Sequence, residues 1–140
     1  MIKYWLVITN DKNWKTVQKN LIYGFCERHE KDINRLKKGD IIIVYVVPKK
    51  IGGFFKINEF RKIDIIKFND GNYPFQIDLK KIKILKEPLI IGDKFQKRDI
   101  ENNISIFKGK SRWGTVLMGR SLVEINERDY KYLINISENG

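Results

Sequence analysis

The apolar segment Ile41-Ile42-Ile43-Val44-Tyr45-Val46-Val47 constrains the fold more than any other feature of the sequence. The turn-forming residues Lys38-Gly39-Asp40 precede it and Pro48 follows it. An apolar, mostly β-branched run between a turn and a proline predicts a strand that is buried on both faces. A strand without a wet face is expected in a small closed barrel.

Further strands are predicted on both sides of this segment, from β-branched and aromatic residues or from period-two alternation. Their ranges are Tyr4–Thr9, Ile51–Ile57, Ile63–Phe68 as a continuation of the previous one, and Phe75–Leu79 with Lys81–Leu85 as one long strand. The pair Gly52-Gly53 indicates a bulge or a close backbone approach. Asn69-Asp70-Gly71-Asn72 predicts a turn.

Helices are predicted before and after these strands. Asn10 or Asp11 caps a first helix through residues 14–19, whose apolar face holds Trp14, Val17 and Leu21. The stretch 27–37 predicts a second short helix, and one or two helical turns are expected in the irregular stretch 87–107. Asn126 caps a terminal helix.

Two stretches are predicted to be loops because glycine interrupts them. The first is Tyr23-Gly24-Phe25-Cys26, and the second is the basic stretch 109–114. The order of elements predicts an α+β fold in which residues 1–140 form one domain. We expect a mixed β-barrel of about five to six strands decorated by short helices.

The charge of the chain indicates its partner. Lys and Arg number 28 against 17 Asp and Glu, which gives a net charge of +11. Such a field attracts polyanions, although it also aids solubility and can reflect a genome of biased base composition. The sequence shows no targeting segment, and its apolar runs are shorter than the roughly 20 residues of a membrane span. We expect a cytoplasmic protein.

Residues for catalysis or metal binding are scarce. One cysteine, Cys26, and one histidine, His29, cannot build a zinc site, and His29 lies in a charged stretch typical of a solvated helix face. Cys26 is expected to be buried. Lys108-Gly109-Lys110-Ser111 lacks the upstream glycine of a phosphate-binding loop. We therefore expect a protein that is not an enzyme and needs no cofactor or metal.

Aromatic residues next to loop-forming or basic residues suggest a base-binding pocket. They are Trp14, Tyr23, Phe25, Tyr73 and Trp113. Stacking of an unpaired base on such a ring contributes about 1–3 kcal/mol. The alternative for each is a place in the core, which is equally good for Trp14 and is the expectation for Trp5 and Tyr45. Of Phe54 and Phe55, one is expected in the core.

The sequence resembles the EVE domain family, as a UPF0310-type protein. The resemblance is carried by ordered segments that cover nearly the whole chain: Tyr23-Gly24-Phe25-Cys26-Glu27-Arg28, Ile33, Leu36-Lys37-Lys38-Gly39-Asp40, Val44-Tyr45-Val46, Gly53-Phe54-Phe55-Lys56-Ile57, Tyr73-Pro74-Phe75-Gln76-Ile77, Trp113, Met118-Gly119-Arg120-Ser121 and Ile125-Asn126-Glu127-Arg128-Asp129-Tyr130. The chain departs from the family pattern at Tyr23, where relatives often carry Trp, and at Gln76, where Arg is common.

The resemblance implies a PUA-like barrel related to YTH domains, which read methylated adenine in RNA with an aromatic cage. EVE domains are thought to read modified bases in DNA, often cytosine derivatives, and several accompany modification-dependent restriction. By analogy, a base would lie among Trp14, Tyr23, Gly24, Phe25, Tyr73, Pro74, Trp113 and Asn10. The nucleic-acid backbone would lie against Arg28, Lys49, Lys50, Lys110 and Arg112.

Three functions remain open from the sequence. The first is recognition of a modified base, such as a modified cytosine in DNA, by a monomer that acts alone or with a restriction or nuclease partner. The second is general RNA binding by a PUA-like domain that recognises tRNA or rRNA without a modified base. The third is a small-molecule enzyme or sensor that uses the same pocket, for which activity would depend only weakly on salt.

Overall fold

The computed structural model describes residues 1–26, 29–61, 68, 73–92, 100–108, 117 and 120–138. The strands within these ranges are β1 (Tyr4–Thr9), β2 (Ile22–Phe25), β3 (Ile41–Val46), β4 (Lys50–Arg61), β5 (Phe75–Ile90) and β6 (Leu122–Ile125). The helices are α1 (Asp11–Asn20), α2 (Glu30–Ile33), α3 (Ile100–Asn103) and α4 (Glu127–Glu138).

The six strands form one mixed sheet in the order β2-β5-β4-β3-β1-β6. β1 and β3 are parallel, and the other neighbouring pairs are antiparallel. The sheet curls, so that the Tyr23 hydroxyl on β2 reaches the carbonyl of Ile8 on β1. The predicted α+β class is therefore confirmed, with a curled half-barrel as its sheet.

Apolar side chains pack on both faces of this sheet. One cluster includes Trp5, Val44 and Phe55, and the other includes Leu6, Ile43 and Phe54. Five of the six residues of β3 are buried, because successive side chains enter the two clusters alternately. The prediction that this strand is covered on both sides is confirmed, and both Phe54 and Phe55 belong to the core.

The long hairpin of β4 and β5 contains irregular pairing that bears on the site. The predicted single long strand after Tyr73 is confirmed as β5, and it runs on to Ile90. Its register with β4 shifts between the pairs Ile51–Leu89 and Gly53–Ile84. Four residues of β5, Leu85–Pro88, there face the single residue Gly52 of β4. The glycine pair therefore lies at a bulge, as predicted.

One prediction of local structure was wrong, and one strand was missed. The segment expected to be a loop around Gly24 is strand β2, which pairs with β5 along its whole length. Strand β6 was not predicted, although it pairs with β1.

Other predictions were imprecise. α2 covers Glu30–Ile33 instead of 27–37, and His29 precedes it in a half-buried position. Cys26 is also half-buried. Predictions for 63–67, 69–72 and 109–114 lie outside the described residues.

Polar side chains fix the ends of the main helices and the turn before β3. Asn10 and Asn126 cap α1 and α4, each by accepting a backbone N–H at 2.8 Å. The buried Asp40 carboxylate accepts the N–H groups of Lys3 and Lys37 and the indole N–H of Trp5. Within the described ranges no helix is long and apolar enough to span a membrane.

Candidate nucleic-acid interface

The candidate site lies where β1 ends and α1 begins. Because β1 and β3 are parallel, their carboxyl ends meet at the same edge of the sheet, with Thr9 opposite Val46. The Asn10 side chain follows directly and accepts the N–H of Asn13 at 2.8 Å. Its predicted contact with a base would therefore compete with its role as the helix cap.

Trp14 packs the first turn of α1 onto the bulge of β4. Its side chain is 9% exposed, and its indole meets the ring of Phe55 edge-on at 5.9 Å. A Cβ atom on Gly52 would lie 2.7 Å from the indole, and one on Gly53 would lie 3.1 Å from it. Two glycines therefore permit this close approach of ring and backbone.

Tyr23 and Phe25 lie on β2 and are buried at 4% and 2% exposure. Their rings meet edge-on at 5.1 Å. The Tyr23 hydroxyl donates to the Ile8 carbonyl at 2.9 Å. Burial raises the pKa of Tyr23 well above its usual value; a hydrogen bond with the Thr9 side chain opposes this rise, and the nearby Tyr73 adds to it. Tyr23 is thus a neutral, buried phenol at the inner side of the site.

Tyr73 is the half-buried aromatic residue of the group. It covers the backbone of Gly24, where a Cβ atom would lie 2.8 Å from the Cβ of Tyr73. Its ring is 5.0 Å from that of Phe68, and its hydroxyl accepts the Asn13 Nδ2–H at 3.1 Å. The adjoining Pro74 is exposed. Tyr73 therefore separates the buried phenol and amide from the surface.

Asn13 is a site residue that sequence reasoning missed. Its side chain is 5% exposed, and its Oδ1 atom has no hydrogen-bond donor in the described part of the chain. An unsatisfied buried acceptor costs about 1–3 kcal/mol. Its position in the sequence could have indicated this role. A residue four positions before Val17 lies on the same, apolar face of α1, where an amide side chain is unusual. Such an amide can bind a polar group brought by a ligand.

The predicted basic residues have different surroundings. Lys49 is exposed, whereas Lys50 is half-buried and its ammonium lies 3.3 Å from the Asp11 carboxylate. Lys50 therefore approaches the start of α1. Arg28, Lys110 and Arg112, together with the predicted aromatic Trp113, lie outside the described residues.

A second polar cluster connects α2 with the start of β6. The Ser121 hydroxyl donates to Asp32 Oδ2, and the same oxygen lies 3.4 Å from His29 Nδ1. The carboxylate lies between serine and histidine, whereas a hydrolase needs histidine between the other two. In the described ranges no three His, Cys, Asp or Glu side chains form a group suited to a metal ion.

Comparison with known proteins identifies the family. The EVE domain family matches residues 3–136, and the chain belongs to this family. A UPF0310 protein of Pyrococcus abyssi is 32% identical over 94% of this chain and 97% of its own length. A UPF0310 protein of Pyrococcus horikoshii is 28% identical over 93% and 95%, respectively.

Solved structures with the same fold include YTH domains. The YTH domain of Zygosaccharomyces rouxii MRB1, solved in complex with N6-methyladenosine RNA, has a TM-score of 0.71 at 12% identity and covers 98% of this chain and 87% of its own. The Mmi1 YTH domain has a TM-score of 0.66 at 13% identity, with 98% and 88% covered. The fold is thus that of YTH domains, as the resemblance implied.

Proposed function

We propose that this protein binds a modified base, such as a modified cytosine in DNA, at the group formed by Asn13, Tyr23 and Tyr73. The unsatisfied Asn13 Oδ1 carries the proposal. Its partner is an N–H donor, and the exocyclic amine of cytosine or adenine provides one. A buried acceptor without a donor is disfavoured in folding and is favourable only when a ligand completes it.

In the proposed complex the Tyr73 ring moves away from Asn13 and stacks on the base. Tyr73 is the residue suited to this movement, because it is half-buried whereas Tyr23 and Phe25 are in the core. Stacking of a base on an aromatic ring contributes about 1–3 kcal/mol. A methyl group on the base adds about 0.8 kcal/mol when the rings desolvate it.

The charge of the chain and its relatives give independent support. A net charge of +11 favours a polyanionic ligand. The YTH domain of MRB1, which has the same fold, was solved with RNA that carries a methylated base. The elements of the site in this chain bind and orient, because a phenol, an indole and an amide have no nucleophile and base in the arrangement of a hydrolase.

Fluorescence anisotropy with labelled oligonucleotides tests the proposal. The strands carry one 5-methylcytosine, one 5-hydroxymethylcytosine, one N6-methyladenine or no modification, each as DNA and as RNA. A preference of about tenfold for one modification, equal to about 1.4 kcal/mol, is expected. Equal affinity for all RNA strands would instead identify the general RNA-binding alternative, and salt-independent binding of a small molecule would identify the third.

Alanine variants of two half-buried tyrosines test whether the base binds beside Tyr73. Tyr73→Ala removes the stacking ring and should lower the affinity for the preferred strand about tenfold or more. Tyr4→Ala is the matched control, since Tyr4 stacks on Tyr130 on the other face of the sheet. Equal losses in the two variants, or none in either, would contradict the assignment of the site.

A further inference from the structure

The exposed face of α1 carries three lysines, Lys12, Lys15 and Lys19. Their spacing of three and four residues places them within an arc of about 60° on an α-helix. They span about 10 Å along the helix axis. The opposite face of the same helix holds Asn13, Trp14 and Val17. One short helix therefore carries the candidate base site on its inner side and a row of positive charges on its outer side.

These three charges are not neutralised within the described part of the chain. No carboxylate there forms an ion pair with any of them. Asp11 is the acidic residue of α1, and its carboxylate is paired with Lys50. The row is therefore available to an external anion.

Two features of this arrangement are unfavourable for the isolated helix, although Lys19 lies in the last turn, where the helix dipole favours a positive charge. Lys12 lies in the first turn, where the helix dipole disfavours a positive charge. Lys15 and Lys19 are four residues apart, and like charges at this spacing repel. Phosphate groups bound along the row would relieve both unfavourable effects.

We propose that Lys12, Lys15 and Lys19 form the track along which the phosphates of a nucleic-acid strand bind, on the outer face of the helix whose inner face holds Asn13. This inference rests on the proposed function. Phosphate contacts fix the register of a strand without reading its bases. The track would thus position a strand so that one base enters beside the first turn of α1.

A second basic surface competes for this role. Lys56 of β4 lies directly opposite Lys80 of β5, and Lys86 lies further along β5. All three are exposed, and none forms an ion pair with a described carboxylate. The α1 row is favoured because it belongs to the same helix as the unsatisfied Asn13 amide, whereas Lys56, Lys80 and Lys86 belong to strands β4 and β5.

Two triple variants with the same loss of charge separate the surfaces. One is Lys12→Gln with Lys15→Gln and Lys19→Gln, and the other is Lys56→Gln with Lys80→Gln and Lys86→Gln. Glutamine keeps a helix propensity close to that of lysine. The probe is a single strand of about 12 nucleotides with and without the preferred modified base. Affinity is measured by anisotropy over a series of NaCl concentrations, and circular dichroism checks the fold.

The salt dependence gives the expected result. The slope of log affinity against log salt should fall in magnitude by about 2 in the α1 variant, since each phosphate contact to a single strand contributes about 0.7. The sheet variant should change it by less than about 0.7. The ratio of affinities for modified and unmodified strands should be the same in the α1 variant and the wild type.

Two results would overturn the track while the proposed function stands. They are an equal change of slope in both variants, or a larger change in the sheet variant, each with the modification preference retained by the wild type. Failure of the wild-type protein to bind any strand would overturn the proposed function and the track together.

Discussion

Asn13 combines a cost to folding with the proposed role in binding a base. Its Nδ2 donates to the Tyr73 hydroxyl, while its Oδ1 lacks a donor among the described residues. Leucine has a similar shape and no polar atoms, so that Asn13→Leu removes the unsatisfied acceptor and one hydrogen bond together. We expect the free energy of unfolding to stay equal or rise by up to about 1 kcal/mol, while affinity for the preferred strand falls tenfold or more.

Urea denaturation and anisotropy on the same preparation measure both effects. A gain in stability with a loss of binding is the behaviour of a residue kept for function. A loss of about 2 kcal/mol with unchanged affinity would mean that the amide serves only the packing of α1.

Tyr23 predicts how stability depends on alkaline pH. Its pKa is raised in the folded state, so the contribution of its neutral form is complete below the unfolded pKa of about 10. Above that pH the unfolded chain loses its phenol proton while the folded chain retains it. Stability therefore falls with a slope approaching about 1.4 kcal/mol per pH unit for this group.

Tyr23→Phe isolates this effect from those of the other titrating groups. The variant lacks the hydrogen bond to Ile8, which costs about 1 kcal/mol at neutral pH. Between pH 8 and 11 its unfolding free energy should fall less steeply than that of the wild type. Parallel profiles in urea denaturation would show that the phenol is accessible to solvent in the folded protein.

At the scale of elements, α1 and α4 provide a matched pair of helix caps. Asn10 and Asn126 accept the backbone N–H three residues ahead at the same distance of 2.8 Å. Replacement of either by alanine should cost about 1 kcal/mol of stability. Asn10→Ala alone should also weaken nucleic-acid binding, because it loosens the turn that carries Asn13. If Asn10→Ala and Asn126→Ala change the affinity measured by anisotropy equally, the α1 cap does not support the site.

Local patterns predicted the elements whose side chains repeat regularly. β1, β3 and the long β5 followed from β-branched composition and alternation, and α4 from its cap and apolar spacing. β2 was missed because Gly24 interrupts a short strand. The glycine is required because Tyr73 and Phe68 pack on it. β6 has only four residues, and its pairing with β1 is distant in sequence.

The sequence suggested residue types for the candidate site but not their arrangement. Sequence reasoning selected Trp14, Tyr23 and Tyr73. The structure places Trp14 on α1, Tyr23 on β2, and Tyr73 just before β5, packed on Gly24. Sequence reasoning could not show that Trp14 is buried, since Gly52 and Gly53 on a distant strand create the space for its indole. It also placed Tyr23 in a loop because of the adjoining Gly24. The burial of this phenol could not be predicted, since it depends on the curl of the whole sheet.

For the whole molecule, the charge affects folding and binding in opposite directions. A net charge of +11 repels itself in the compact state, and ligand phosphates would relieve that repulsion. Surface ion pairs such as Lys38 with Glu59 oppose this effect only weakly, because both side chains are well exposed. Screening by salt should therefore stabilise the free protein and weaken its complex with nucleic acid.

Raising NaCl from about 50 to 200 mM should thus raise the free energy of unfolding by up to the order of 1 kcal/mol. Over the same range affinity for a strand held by three phosphate contacts should fall about 20-fold. Urea denaturation and anisotropy at matched salt concentrations measure the two trends. The triple α1 variant should show a smaller change in each, because it carries three fewer positive charges. A free energy of unfolding that falls with salt would mean that ion pairs outweigh the repulsion of the net charge. The loss of affinity would then be explained by unfolding instead of by screening of the phosphate contacts.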